Sequence, residues 1–258
     1  MSPATVTLSS DFGSYYPGAM RGVLARRGIE RVIDVTHDLP RQDVYQGAFW
    51  LHTLVPYFPP AVHCVVVDPG VGGDRDVLIL RAGGHILVGP DNGILWPTAQ
   101  ILARDETVDA FTFEHVPPDS QTFHGRDVFA PLTAAIAHLG LHRFEQLPTV
   151  TRTENPITLT FPAGERHTDH AIVSILAVDG FGTAITNLPG EVLPTSAGAH
   201  LRVDAREVPF ASTYGAVNLG QPLVTIGSHG YVELAVNGGR GDRAFGVEPG
   251  DELSIRWE

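Results

Sequence analysis

AVHCVVVDPGVGGDR, residues Ala61 to Arg75, is the stretch on which the reading of the fold turns. A short apolar run ends in Asp68, Pro69 and three glycines, and Arg75 follows. Such a run, bounded by turn residues, reads as a buried strand. In open α/β sheets ligands sit beyond the carboxyl ends of the strands, which is where Asp68 stands. Gly70, Gly72 and Gly73 allow a tight loop whose backbone can approach a ligand closely. The glycines also invite a nucleotide-phosphate reading. The spacing GVGGDR is not GxGxxG, however, and a second strand follows where a phosphate-binding helix would begin. Taken alone, the stretch describes a structural Asp–Arg pair closing a turn at least as well as it describes a site.

Outward from this strand, strand-like and helix-like runs alternate from Thr5 to about His138. VTLSS, RVIDVT and VDAFTF read as strands, and VLILRAGGHILVG as a hairpin turned at Gly83-Gly84. PGAMRGVLARRG reads as a helix with Pro17 near its start and Gly28 past its end. Val44, Ala48, Leu51 and Val55 recur at helical spacing. Asp91 and Asn92 are expected to cap a helix through NGILWPTAQILA. RDVFAPLTAAIAHLG is a further helix, starting near Asp127 and closed by Gly140. This alternation implies an α/β/α domain with a mostly parallel sheet, assigned to residues 1–155. Residues 156–165 read as a linker. Residues 166–258 carry short β-like runs separated by Gly, Pro and Asn, with hardly any helical period, and are expected to form a smaller all-β, barrel-like domain.

The composition fits that picture. The 258 residues are 43% hydrophobic and 18% charged, the balance of a globular chain rather than a disordered one. The net charge of −12 argues against a basic stripe for nucleic acid. The apolar runs are too short to span a bilayer, and no secretory signal is evident near Met1, so a cytoplasmic protein is expected. Cys64 is the single cysteine and reads as a core thiol. The 12 histidines include an HxxH pair, His167 and His170, but no HExxH or Cys/His set, so no metal is expected.

Four more stretches carry polar residues in suggestive places. SSDFG (Ser9–Gly13) ends a strand in Asp11, which suits either a ribose-hydroxyl acceptor or a turn cap. QTFHGRDVFAP (Gln121–Pro131) places His124 before a helix, as a base, a ligand or a packed side chain. DGFGTAITN (Asp179–Asn187) and GSHGYVELAVNGG (Gly227–Gly239) lie in the β half.

Together, and in this order, SSDFG, VTHDLPRQDVYQGAF, VVVDPGVGGDR, GPDNG, TFHGRD, the DGFG…TN stretch and GSHGYVELAVN resemble the S-adenosyl-L-methionine (SAM) hydroxide adenosyltransferases. These are adenosine-forming SAM hydrolases, the hydrolytic relatives of the fluorinase and chlorinase. The resemblance spans essentially the whole chain. It implies two domains of the kinds just described and a homotrimer, with substrate between the N-terminal half of one subunit and the C-terminal half of its neighbour. It implies a catalytic set of Asp68, Arg75 and His124. The halogenases have a tyrosine at the place of Asp68 and lack the histidine. For substrate binding it implies Asp11 on the ribose, Asp179 and Ser228 on the methionine ends, Tyr214 and Phe181 as aromatic walls for adenine, and Asn237-Gly238 on the adenine edge. Where the family reads FGN this chain has Phe181-Gly182-Thr183, and a hydroxyl replaces an amide. Gln42 stands where the halogenases place an aromatic.

The implied reaction is attack of water on ribose C5′ with methionine leaving from its sulfonium. A sulfonium departs as a neutral thioether, so neither a general acid nor a metal is needed. No cofactor is expected: SAM is the substrate and water the co-substrate. His124 or Asp68 can accept the proton, and Arg75 neutralises Asp68 and holds it in place. A SAM-dependent halogenase and a non-catalytic SAM- or adenosine-binding protein are the alternatives.

Overall fold

The structure is a computed structural model that describes residues 3–115, 120–193 and 200–257. The chain falls into two compact units, Met1–Thr160 and Phe161–Glu258. In the first, the elements in chain order are β1 (Val6–Ser10), α1 (Tyr16–Arg26), β2 (Val32–Thr36), α2 (Val44–Leu54), β3 (Val62–Val66), β4 (Val77–Ala82), β5 (His85–Pro90), α3 (Trp96–Ala103), β6 (Asp109–Phe113), α4 (Ala130–Leu139) and β7 (Val150–Arg152). The strands form one sheet in the order β2-β1-β3-β5-β4-β6-β7. Pairing is parallel from β2 to β5 and antiparallel beyond, so five of the seven described strands point the same way.

Strand alternation sorts the core into two layers. Val62, Cys64 and Val66 face Met20 and Leu24 of α1 and Ala134 and Ile136 of α4. On the other face Gly47 of α2 lies so near Val67 and Ile94 that a Cβ there would touch both. Cys64 is fully buried, and burial pushes its thiol up to about 12, against the opposing hydrogen bond of Thr133. His63 points to the α2 face. Its Nδ1 pairs with Thr7 Oγ1 at 2.7 Å, and its Nε2 with His85 Nδ1 at 2.9 Å.

Local signals act largely as expected. Pro17 lies in the first turn of α1, and Asp43 caps α2 by accepting from the Gln46 N–H at 2.9 Å. Gly28 and Gly140 end α1 and α4 with positive φ. Three local expectations need correction. Asp91 and Asn92 do not cap α3, which begins after Leu95 without a side-chain cap. Asp91 accepts instead from the Ile157 N–H at 2.8 Å, and Asn92 donates to the Val67 carbonyl at 2.9 Å. The helix ending at Gly140 begins before Asp127, with a π-helical turn over Gly125–Phe129 that runs into α4.

The second unit contains β8 (Glu165–Arg166), β9 (His170–Val178), β10 (Ala184–Pro189), β11 (His200–Val203), β12 (Arg206–Pro209), β13 (Pro222–Ile226), β14 (Tyr231–Val236), α5 (Gly241–Phe245) and β15 (Glu252–Trp257). The row β12-β11-β15-β9-β10-β14-β13 is antiparallel throughout, with β8 paired to β9. A bridge between Phe210, just past β12, and Val224 of β13 brings the two ends of the row together and nearly closes a barrel. Val173, Leu201, Val224, Val232 and Ile255 fill its interior. The third correction is α5, a one-turn helix with no detectable period in the sequence. Among the described residues no helix is long and apolar enough to cross a membrane.

Candidate active site

β1 leads through α1 to β2 on one side, and α2 carries the chain back over to β3 on the other. The carboxyl ends of β1 and β3 are therefore neighbours at the point where the strand order reverses, with Ser10 paired to Val66. Chains leaving such a point diverge and leave a crevice. Here a cavity of about 610 Å³ is lined by Asp11 and Phe12 after β1, Asp68 after β3, Arg41 and Gln42 before α2, and Phe123 and His124 before α4.

Three glycine positions bring these segments together. Gly72, at φ +78°, lets the loop after β3 fold onto the 121–124 segment, where a Cβ would come to 2.7 Å of the Gln121 carbonyl oxygen. At Gly125 a Cβ would meet the Phe12 ring at 2.9 Å. At Gly73 the loop closes on itself through an N–H donated to the Gly70 carbonyl at 3.0 Å. Arg75 thereby returns to Asp68. Its Nε donates to Oδ1 at 3.2 Å and Oδ2 at 3.1 Å, and its Nη2 to Oδ2 at 2.6 Å. The same Nη2 donates to His124 Nδ1 at 2.8 Å. The Asp68 side chain is only 4% exposed, and the guanidinium supplies the opposite charge beside it.

Guanidinium has no acceptor, so His124 Nδ1 must be bare and the neutral ring carries its proton on Nε2. That Nε2 is buried and meets no hydrogen-bond partner among the described residues. Burial first, then the positive charges of Arg75 and His115, hold the His124 pKa below its ordinary 6.5; Asp68 and Asp127 pull the other way. The arrangement places a carboxylate and a neutral imidazole in the wall of one cavity.

Asp11 is the fourth predicted residue at this cavity. Its Oδ2 accepts from the Gln42 N–H at 2.9 Å, which secures Gln42 in a left-handed conformation at φ +57°. Sequence reasoning missed two supports. His37 braces the Asp11 loop on both sides, with Nδ1 2.8 Å from Ser10 Oγ and its carbonyl accepting from the Gly13 N–H at 2.8 Å. Asn92 holds the Val67 carbonyl immediately before Asp68. Both residues stand in quoted motifs, VTHDLP and GPDNG, and that was their only signal.

The remaining predicted residues lie in the β unit. Asp179 follows β9, and its Oδ1 accepts from the Phe181 N–H at 2.9 Å and the Thr183 N–H at 2.8 Å. The Phe181 side chain is 82% exposed. Tyr214 donates to Glu233 Oε2 at 2.7 Å. Burial first, then Glu233 and Asp179, push its phenol pKa up, against a hydrogen bond with Thr183. Ser228 lies in the turn between β13 and β14. Asn237 donates from Nδ2 to the Val217 carbonyl at 2.8 Å, and Gly238 adopts φ +67° where a Cβ would strike Leu219. Within this unit the structure brings Asp179 and Tyr214 together, and it sets Asn237 and Gly238 against the 217–219 segment.

Comparison with known proteins follows the same division. Residues 6–147 match the family model of the SAM hydroxide adenosyltransferase N-terminal domain, and residues 173–254 that of the C-terminal domain. The chain is 41% identical over 261 residues to (R)-S-adenosyl-L-methionine hydrolase from Salinispora tropica, covering 97% of each. It is 38% identical to the hydrolase of the same name from Thermus thermophilus, over 93% of this chain and 95% of the relative. A crystal structure of a Thermotoga maritima protein superposes with a TM-score of 0.84 at 29% identity, over 98% of this chain and all of that one. With both halves matched in order and its sheet and barrel shared with a solved relative, the chain belongs to the SAM hydroxide adenosyltransferase family.

Proposed function

We infer that this protein hydrolyses S-adenosyl-L-methionine to adenosine and L-methionine. The observation that carries this reading is the joining of Asp68, Arg75 and His124, 56 residues apart at the extremes (124 − 68), through one guanidinium at the end of β3. Family membership and relatives named as SAM hydrolases support it.

The step balances simply. A water oxygen attacks ribose C5′, the C–O bond forms as the C–S bond breaks, and the C–S electron pair leaves with sulfur as methionine's neutral thioether. One proton is released. Bulk water, with a pKa of about 15.7, is a weak nucleophile, so alignment with the C–S bond supplies much of the rate, up to about 7–11 kcal/mol. His124 is a poor base here, because its only bare nitrogen is held by Arg75. Its Nε2–H donates to the water oxygen and aims it. Asp68 accepts a hydrogen bond from the same water. As the C–O bond forms, that water becomes strongly acidic, and a carboxylate is base enough to take its proton. Arg75 holds Asp68 in place through its paired hydrogen bonds. A halide would face the Asp68 carboxylate, and like charge disfavours it, so water is the nucleophile. Water is the second substrate, and the neutral leaving group makes a cofactor unnecessary.

Asp11 is assigned to the ribose hydroxyls, Asp179 and Ser228 to the methionine ends, and Tyr214, Phe181, Asn237 and Gly238 to adenine. The working form is read as a homotrimer with sites shared between subunits. The exposed Tyr15, Tyr16 and Phe181 side chains support that reading, and sedimentation equilibrium at three times the chain mass tests it.

The deciding experiment incubates the protein with SAM in oxygen-18 water and analyses the products by chromatography and mass spectrometry. Adenosine labelled in its 5′-hydroxyl, with unlabelled methionine, is expected. Unconsumed SAM, or unlabelled adenosine, overturns the assignment.

A further inference from the structure

Glu233 of β14 is a carboxylate inside the β unit, 5% exposed, and no motif reading gave it a role. Both its oxygens have a close polar neighbour. Oε2 accepts from the Tyr214 phenol at 2.7 Å, and Oε1 lies 3.0 Å from His229 Nε2. The tautomer of His229 follows from its other nitrogen. Nδ1 accepts from the Tyr231 backbone N–H at 3.2 Å, so in the neutral ring the proton sits on Nε2, the nitrogen beside Glu233.

The sequence makes room for this meeting at one place. A Cβ on Gly227 would overlap Glu233 Oε1 and come to 2.6 Å of His229 Cε1. Ser228 sits between Gly227 and His229, in a turn closed by the Gly230 N–H donated to the Gly227 carbonyl at 2.9 Å. On its other side Thr183 works against the rise in the Tyr214 pKa, and the Thr183 N–H is held by Asp179 Oδ1. Tyr214, Glu233 and His229 thus form one continuous chain of polar contacts.

We propose that Glu233 is a positioning residue that fixes the Tyr214 ring and the Ser228 turn at one separation, without touching the reacting atoms. This rests on the SAM reading above for the identity of the ligand. A buried carboxylate is tolerated when its lone pairs are met by donors, and two donors on separate segments then become fixed relative to each other. Glutamine at this position has one acceptor oxygen and no charge, and must turn an NH₂ toward either the phenol or the imidazole.

The test compares wild type, Glu233→Gln, Tyr214→Phe and the double variant by kcat and KM for SAM and by calorimetric Kd for adenosine. Glu233→Gln is expected to raise KM and the adenosine Kd about tenfold while kcat falls less than threefold, the division that separates positioning from chemistry. Tyr214→Phe keeps the ring, removes its tether to Glu233 and raises both constants as well. The double variant is no weaker than the weaker single, because both changes break one linkage. A KM within twofold of wild type in Glu233→Gln, a kcat that falls as far as KM rises, or effects that multiply in the double variant overturns the proposal. If Glu233→Gln does not fold, Tyr214→Phe decides: an unchanged adenosine Kd overturns it. Failure of the wild type to consume SAM strikes the hydrolase reading instead, since adenosine binding still reports on Glu233.

Discussion

Arg75 Nη2 and His124 Nδ1 lie 2.8 Å apart, and the proton between them belongs to the guanidinium. An imidazolium has no acceptor to offer there and would face a second cation. With burial and Arg75 both lowering its pKa, His124 is neutral at pH 7, and kcat/KM keeps its plateau until the pH falls below the ordinary histidine value of about 6.5. In an NMR titration the His124 ring is expected to protonate with a midpoint under 6.5. Asp68→Asn moves that midpoint lower still, because Asp68 is one of the groups opposing the shift. A midpoint at or above 6.5 in the wild type contradicts the tautomer assigned here.

Asp68→Asn keeps the shape of the side chain and removes both its charge and its capacity to take a proton. Turnover is expected to fall by about a hundredfold or more while SAM still binds. His124→Ala removes the N–H that aims the water and leaves an Arg75 hydrogen bond unmet, with a loss of similar size. Single-turnover kinetics with a parallel binding measurement checks both, and unchanged turnover in both variants removes these residues from the chemistry.

The hairpin glycines separate conformational strain from collision. Gly83 and Gly84 both have positive φ, but a Cβ on Gly83 would overlap the Leu102 carbonyl, whereas on Gly84 the nearest atom is Pro60 Cγ at 3.9 Å. Gly84→Ala is expected to cost about 1 kcal/mol, for backbone conformation alone. Gly83→Ala adds displacement of α3 and costs about 2–3 kcal/mol. Chemical denaturation midpoints check the difference, and equal losses would mean that the close approach to Leu102 has no energetic weight.

His63 makes the first unit sensitive to acid. Burial, then the neighbouring His85, lower its pKa to about 3, while the unfolded chain protonates it near 6.5. Below 6.5 the unfolded state therefore binds the extra proton. The contribution of His63 to stability is full above pH 6.5 and falls by about 1.4 kcal/mol per pH unit down to about pH 3, where the decline levels off. Unfolding free energies from guanidinium denaturation at pH 7 and pH 5 should differ by about 2 kcal/mol more in wild type than in His63→Gln. Parallel declines in the two proteins would assign the acid sensitivity elsewhere.

How much of this was legible in the sequence follows from what kind of force shapes each part. β1, β3 and the Gly83-Gly84 hairpin announce themselves through apolar runs and turn residues, because burial and backbone sterics act locally. Gly28 and Gly140 mark helix ends for the same reason. The helix starts were harder. Asp91 and Asn92 look like caps, yet the Ile157 N–H and the Val67 carbonyl, distant in sequence, claim them. α5 has too few residues to show a period, and β7, three residues long, carries no strand signal until β6 offers it an edge. At the cavity, Asp68 and Arg75 are near neighbours along the chain, and their pairing is visible as a spacing. That His124 takes the same guanidinium, or that His37 braces the Asp11 loop, depends on tertiary approach that motif order alone conveys. Glu233 gave no sign at all: a strand carboxylate reads as solvent-facing until its partners are known.

The lone thiol, Cys64, sits in β3 against α1 and α4 with no exposed surface and an acidity reduced to that of a very weak acid. An alkylating reagent needs a reachable thiolate, and the native fold offers none. β3 lies in the interior of its sheet, between β1 and β5, so fraying at a terminus or a loop does not release it. Each modification event in iodoacetamide would thus register one opening of the sheet itself. Nature has left this chain a single internal clock for its own unfolding, readable by mass spectrometry as one added carbamidomethyl group.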